Sequence, residues 1–315
     1  MSPRAWSAFA GVSILWGMPY LLIKVAVDDG LSPVFVTWVR VVLGAAVLLL
    51  ISWRAGLLAT FRGRVGWMAT LALAEIAIPF TLIAAGEQHV SSPLAAILIA
   101  AAPLFVALLA LRFDPTERAG GFRLVGLVVG LAGIVALVGI DVAGSTSELL
   151  GAAAVLGAAL CYAVGSMVFK HRLSDLDPRA SMGGSLGIAA LVLTPAAALD
   201  RPASAPSPAA GGAMLALGLL CTAAALVLYA VLIAEAGAGR ALVITYVNPL
   251  VALALGLVIL GEHPGLGAAA SLPLILAGSW LAMRRQAPRA SRSHRPVKEV
   301  VMTRRSTTTA AIGTQ

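Results

Sequence analysis

Three charged residues interrupt long apolar runs of the 315-residue sequence: Lys24, Arg40 and Glu75. A charge inside a membrane-spanning helix is costly, so it normally faces a cavity, a partner or a ligand. An arginine can hold a carboxylate through two parallel hydrogen bonds. A buried carboxylic acid with no partner would keep its proton at neutral pH, as a proton-coupled carrier requires. These three residues are therefore the first candidates for binding a substrate or a proton.

Each of these charges also has a structural interpretation. Lys24 could extend its amine to the membrane surface. Arg40 could pair with Glu75 instead of a substrate, and Glu75 could serve as a hydrogen-bonded or ion-paired link between helices. The sequence leaves both sets of interpretations open.

Aromatic and polar residues in the same apolar runs could complete a binding cavity. Tyr20 lies four residues from both Trp16 and Lys24, so a helix would place the three on one face. Asn248 precedes Pro249, whose missing N–H frees a carbonyl one turn earlier. Glu75 is also the candidate for proton coupling. The predicted substrate-binding residues are Trp16, Tyr20, Lys24, Thr37, Arg40, Glu75, Tyr162, Tyr229, Tyr246 and Asn248.

The composition places these residues in a membrane. The chain is 60% hydrophobic and 11% charged, and its mean hydropathy is +0.95. About 20 apolar residues in a helix cross the hydrocarbon layer, and a helix satisfies its own backbone groups there. The sequence therefore predicts an all-α integral membrane protein with ten transmembrane helices. The predicted spans are 5–27, 33–53, 65–86, 92–112, 121–140, 148–169, 180–199, 212–234, 239–260 and 267–283.

The positions of the basic residues predict the orientation. With the N-terminus in the cytoplasm, nearly all of the 22 Lys and Arg residues fall in cytoplasmic loops or in the tail. The loops 28–32, 87–91, 141–147 and 261–266 contain none. We therefore expect a multi-pass protein of the cell inner (cytoplasmic) membrane with both termini cytoplasmic.

The chain also repeats itself at a displacement of 146 residues. Lys24 matches Lys170 and Pro103 matches Pro249, whereas Glu75 matches Cys221 and the charge is not duplicated. Each copy holds five spans, and an odd number predicts two inverted five-helix repeats. The predicted domains are a first repeat over 1–141, a second over 148–285 and a disordered basic cytoplasmic tail over 286–315.

Four short motifs resemble a known family. They are Trp-Gly-x-x-Tyr-x-x-x-Lys (16–24), Ala-Pro-Leu (102–104), Asn-Pro-Leu (248–250) and Leu-Gly-Glu (260–262). In this order the set resembles the EamA family of the drug/metabolite transporter superfamily. The sequence departs from the family before Glu117, where Phe-Asp-Pro-Thr replaces the usual Leu-Gly. The resemblance implies a ten-helix carrier for small metabolites, often an exporter of amino acids or related compounds.

We therefore expect a secondary transporter that moves a small organic metabolite by alternating access, with export favoured and proton coupling through Glu75 as a candidate. Proline-interrupted helices 1, 3, 4, 7 and 9 would provide bending points. The alternative is a membrane-embedded enzyme acting on a lipid-like substrate. Such an enzyme needs paired acids or a Ser/His couple within the membrane, and the sequence places neither in a span.

The expected partners are a small-molecule substrate and the lipid bilayer, with no nucleic acid, no cofactor and no metal. The four histidines lie in loops or in the tail, without metal-ligand spacing. Glu117 and Glu262 are expected to cap helices or to pair with loop arginines. Gly126 and Gly130 form a small-residue face for helix packing within the chain or for dimerisation, so a monomer or a homodimer is expected.

Overall fold

The computed structural model describes residues 1–113, 122–142, 144–237, 241, 243–263 and 265–283, and all regular structure within these ranges is helical. Eight helices are long and apolar enough to cross a membrane, and two apolar helices are shorter. In chain order they are α1 Pro3–Asp28, α2 Pro33–Arg54, α3 Val65–Gly86, α4 Ser92–Phe113, α5 Leu124–Val142, α6 Thr146–Leu173, α7 Pro178–Leu199, α8 Pro208–Ala236, α9 Ile244–Leu260 and α10 Leu266–Ala282.

The chain is thus an all-α, multi-pass membrane protein, and a helix occupies each of the ten predicted runs. Helix starts follow local sequence rules. Serine hydroxyls at Ser32, Ser145 and Ser207 accept a backbone N–H of the first turn of α2, α6 and α8. The predicted roles of Glu117 and of the tail over 286–315 lie outside the described residues.

Polar contacts between loops tie the bundle together at both ends. At the end where α1 finishes, which we call the Lys24 end, the Ser207 amide donates to Asp29 Oδ2 at 3.0 Å. At the N-terminal end, Arg64 donates to Asp175 Oδ2 at 2.6 Å. The α1–α2 loop therefore meets the α7–α8 loop at one end, and the α2–α3 loop meets the α6–α7 loop at the other.

Helices α5 and α10 pack through glycines. A Cβ on Gly278 would overlap the backbone of Gly130, and a Cβ on Gly126 would lie 2.7 Å from the Gly278 carbonyl oxygen. Asp141, at the end of α5, accepts the backbone N–H groups of Gly267 and Ala268 at 2.8 and 2.6 Å. The glycine face proposed for either packing or dimerisation is therefore occupied within the chain by α10.

We expect Gly278→Ala to lower the stability of the protein. The new methyl group must push α10 away from the Gly130 backbone, and overpacking of this kind costs about 1–3 kcal/mol. Thermal unfolding in detergent measures the effect. Gly139→Ala in α5 is the control, because its Cβ meets no atom within 4 Å. Equal melting temperatures for the two variants would contradict the tight contact.

The α-helical hydrogen-bond pattern is irregular inside four helices, and α5, α6 and α9 each end in a π turn. In α1, Pro19 has no N–H to donate, although Met18 before it remains helical, and α4 breaks at residues 100–101, before Pro103. Helix α3 contains a π turn over Ala72–Ala77, and α8 contains one over Leu219–Ala224. Helices α7 and α9 remain α-helical through Pro195 and Pro249, so bending there stays a prediction.

Candidate functional site

Arg40 joins α2 to α8 in the middle of the bundle. Its side chain is buried, and its Nε–H donates to Thr222 Oγ1 at 2.9 Å. The Thr222 hydroxyl in turn donates to the Leu217 carbonyl at 2.8 Å, a contact made within the π-turn region of α8. The guanidinium lies 3.9 Å above the centre of the Phe80 ring, at cation–π distance. Among the described residues Arg40 forms no ion pair. The Arg40–Glu75 pair that the sequence left open is therefore not formed, and the contacts with Thr222 and Phe80 hold the guanidinium in place.

Glu75 lies within the π turn of α3. Its Oε2 atom is buried and has no hydrogen-bond partner among the described residues. Gly165 of α6 faces it so closely that a Cβ at that position would overlap the carboxylate. The carboxyl group therefore reaches α6 because residue 165 has no side chain.

Tyr162 is the residue of α6 that lies near both of these charged residues. It lies within electrostatic range of both Arg40 and Glu75. Tyr20 is close to Tyr162 and Arg40, and Tyr229 is close to Glu75. The Trp16 ring packs against the Tyr229 ring in a tilted arrangement, with ring centres 4.8 Å apart. We call this group the central cluster; its members are Trp16, Tyr20, Arg40, Glu75, Tyr162 and Tyr229.

The other four predicted residues take no part in the contacts that the structure gives for this cluster. The Lys24 amine pairs with Asp28 at 2.9 Å and donates to the Glu87 carbonyl at 3.1 Å, at the Lys24 end. Thr37 is buried in α2, and Tyr246 is partly buried in α9. Asn248 Oδ1 is buried without a hydrogen-bond partner among the described residues.

Sequence reasoning missed four residues that shape the central cluster: Phe80, Thr222, Gly165 and Cys161. Cys161 lies near Glu75, and the other three make the contacts given above. Gly165 had a usable signal, because a glycine inside a helix costs about 1 kcal/mol relative to alanine and is often retained for close packing. Phe80 and Thr222 had no sequence signal, since their roles depend on which helices are neighbours.

We expect Gly165→Ala to destabilise the protein by about 1–3 kcal/mol, because the methyl group displaces the Glu75 carboxyl or separates α3 from α6. Gly157→Ala in the same helix is the matched control, since its Cβ would make only an ordinary contact of 3.5 Å with Leu82. Thermal unfolding of the double variant Gly165→Ala/Glu75→Ala is the decisive measurement. Removing the carboxyl should restore most of the lost stability, and a purely additive loss would contradict the contact.

Glu262 caps a helix, which is one of the two roles predicted for it. Its Oε1 accepts the backbone N–H of Ser92, at the start of α4, at 3.2 Å. The Ser92 hydroxyl donates to the Tyr20 carbonyl at 3.2 Å. The start of α4 is therefore fastened both to α1 and to the α9–α10 loop.

The model of the EamA-like transporter family matches this chain twice, over residues 5–139 and over residues 149–284. The chain belongs to the EamA-like transporter family. The two matched ranges together include every residue of the central cluster.

The chain is also similar to proteins of several other organisms. The chain is 29% identical to the inner membrane transporter YedA of Escherichia coli over 82% of this chain and 83% of that protein. It is 30% identical to the protein PagO of Salmonella typhimurium over 50% of this chain and 51% of that protein, so this match spans about half of PagO. A transporter of Archaeoglobus fulgidus is 23% identical over 90% of this chain and 100% of that protein.

A solved crystal structure shares the fold. It superimposes with a TM-score of 0.64 at 21% identity, and the match covers 89% of this chain and 97% of the other. At this identity the likeness concerns the path of the chain, and function must be argued from the central cluster.

Proposed function

We propose that this EamA-family chain is a secondary transporter that carries a small organic metabolite, an amino acid or a related compound, across the cytoplasmic membrane by alternating access. The observation that carries the proposal is the central cluster: a buried arginine and an acid without an ion-pair partner lie around Tyr162 in helices of membrane-spanning length. Ionisable groups placed in this way are typical of substrate and ion pathways.

Arg40 is proposed to bind the substrate. The hydrogen bond to Thr222 occupies Nε and leaves the edge formed by the two terminal nitrogens for a carboxylate. The contact with Phe80 holds the guanidinium plane in place. The aromatic rings of Trp16 and Tyr229 offer an apolar surface on the Glu75 side of the cluster. A zwitterionic or anionic substrate with an apolar part fits this combination.

Glu75 is proposed to carry the coupling proton. Its buried Oε2 lacks a hydrogen-bond partner among the described residues, and an unpaired carboxylate in an apolar environment favours its protonated form. A substrate entering the cluster would change the water and charge around this carboxyl. Binding of the proton and of the substrate would thereby influence one another.

The transport cycle is proposed to use two inverted repeats, over 1–141 and 148–285, with both termini cytoplasmic and export as the favoured direction. The double family match supports the repeats. The loop contacts support them as well: Asp29 at the Lys24 end and Asp175 at the N-terminal end stand 146 residues apart, and each carboxylate accepts a hydrogen bond from a loop of the other repeat. A monomer or a homodimer is compatible with this scheme.

Transport into proteoliposomes tests the proposal. The purified chain is reconstituted and offered a panel of amino acids and related carboxylates, with and without a pH gradient. We expect gradient-dependent accumulation of at least one compound that carries a carboxylate. The proposal fails if no compound moves faster than in protein-free vesicles. For the orientation, a reporter inserted between α7 and α8 should be active only outside the cytoplasm.

A further inference from the structure

A second carboxyl group without a hydrogen-bond partner lies at the Lys24 end, away from the central cluster. Glu87 follows the last residue of α3, and its side chain is 0% exposed. Neither of its carboxyl oxygens has a hydrogen-bond partner among the described residues. Burying an ionised carboxylate without hydrogen-bond partners costs much free energy, and binding a proton removes most of that cost.

The charges around Glu87 come from three directions. Glu262 of the α9–α10 loop, Lys24 and Asp28 of α1, and Arg40 of α2 all act on it electrostatically. The Lys24 amine bonds the Glu87 backbone carbonyl and the Asp28 carboxylate, and thus does not neutralise the Glu87 side chain directly.

Helix α6, which packs on the same turn, offers no such charge. The groups it places against Gly86 are the Gly151 backbone and the Val155 side chain. The neighbouring His89 places its Cβ against Gly151. The acidic neighbours of Glu87 are therefore Glu262 and Asp28, its basic neighbours are Lys24 and Arg40, and the Tyr20 hydroxyl also lies within electrostatic range.

These surroundings favour the protonated form of Glu87. Burial raises the pKa of its carboxyl group well above the ordinary range, Glu262 and Asp28 raise it further, and Lys24 and Arg40 oppose them. Burial also raises the pKa of Glu262, and the Ser92 N–H opposes that effect. The described residues contain no group of three or more His, Cys, Asp or Glu side chains arranged to hold a metal ion. A proton is thus the ligand that fits.

The position of Glu87 links this proton to the closure of the bundle. Around it, Ser92 binds the Tyr20 carbonyl of α1 and the Glu262 carboxylate of the α9–α10 loop. The contact with Glu262 joins the first half of the chain to the second at the Lys24 end. Separating them would admit water to Glu87 and remove the burial that favours its proton.

We propose that Glu87, beside Glu262, is a second proton-binding site, and that its proton holds the Lys24 end of the bundle closed. In the closed form the carboxyl is buried and neutral; in the open form it is hydrated and ionised at neutral pH. A carboxyl in water titrates near pH ~4.3. Closure is therefore favoured at low pH and weakens as the pH rises above that range, because the closed form alone retains the proton.

Protonation itself is measured without a substrate, so this inference can fail while the proposed transport function holds, or the reverse. The purified full-length chain in lipid bilayers is titrated while infrared absorption records the carbonyl band of protonated carboxyl groups. We expect Glu87→Gln to remove a component of that band that persists at neutral pH in the unmodified chain. Glu148→Gln, near the start of α6 at the same end, should leave it unchanged.

Glu75→Gln should remove a different component, so that the two sites are read separately. Glu87→Asp keeps a carboxyl in place and should retain a band at neutral pH, which guards against a loss caused by misfolding. A spectrum of Glu87→Gln that matches the unmodified chain at every pH overturns the site.

Closure is measured by the labelling of a cysteine placed at Ala95, a fully buried residue in the first turns of α4, with Cys161 and Cys221 replaced by alanine. The maleimide labelling rate is divided by that of the unfolded chain at each pH. We expect this ratio to rise with pH, and to rise less in Glu87→Gln, which stays neutral. Equal pH dependence in both chains overturns the link between the proton and closure.

Discussion

Transport by Glu75→Gln should continue as exchange but should no longer respond to a pH gradient. Glutamine has nearly the shape of a protonated glutamic acid but cannot release a proton. The Gly165 gap that admits the carboxyl admits the amide as well. In the unmodified chain, a gradient of one pH unit should change substrate accumulation about tenfold for each coupled proton, since one unit corresponds to ~1.4 kcal/mol.

The measurement compares gradient-driven accumulation with substrate exchange between the two sides of the same vesicles. Glu148→Gln is the control, because it makes the same chemical change outside the central cluster. Glu148 lies in the first turn of α6, where its backbone N–H donates to the Ser145 hydroxyl. Accumulation by Glu75→Gln that still follows the gradient would remove Glu75 as the coupling residue. Loss of exchange together with accumulation would point to a structural role instead.

The second large effect is expected for Arg40→Lys. The ammonium of lysine keeps the charge but loses the planar fork that can bind a carboxylate with two hydrogen bonds. It also loses the guanidinium contact with the Phe80 ring. Hydrogen bonds between charged groups contribute about 1.5–3 kcal/mol each, so the affinity for a carboxylate substrate should fall by roughly 10- to 100-fold.

Arg54→Lys, at the exposed end of the same helix, is the matched control and should bind the substrate normally. Thr222→Val is the companion variant. It removes the hydroxyl that bonds Nε while leaving the guanidinium in place, and should weaken binding less than Arg40→Lys. Unchanged affinity in Arg40→Lys would exclude a two-point contact between Arg40 and the substrate.

The helices could be located from the sequence because hydropathy over about 20 residues and serine or proline starts are local properties. All ten predicted runs contain a helix, and the hydroxyls of Ser32 and Ser207 cap α2 and α8. Capping was one of two roles predicted for Glu262 from its place at a loop entrance, but the helix that it caps begins 170 residues away in the sequence and could not be predicted.

The surroundings of the charges could not be predicted, because they depend on which helices are neighbours and on helix phase. The predicted shared face of Trp16, Tyr20 and Lys24 did not indicate their partners: Trp16 packs against Tyr229 of α8, whereas the Lys24 amine bonds Asp28 and the Glu87 carbonyl. Helix α8 has a π turn without any proline to announce it. That turn carries Thr222, the partner of Arg40.

The two internal π turns also bear on the history of the chain. A π turn accommodates one more residue than the α-helix around it, and in both α3 and α8 it lies in the middle of the helix. Ala72 and Leu219, where these turns begin, stand 147 residues apart, one residue from the displacement that relates the repeats. On the proposed duplication, the irregularity was present in the single ancestral half. Glu75 and Cys221 differ at one shared position within it, so both halves keep the backbone feature whereas only one carries the charge.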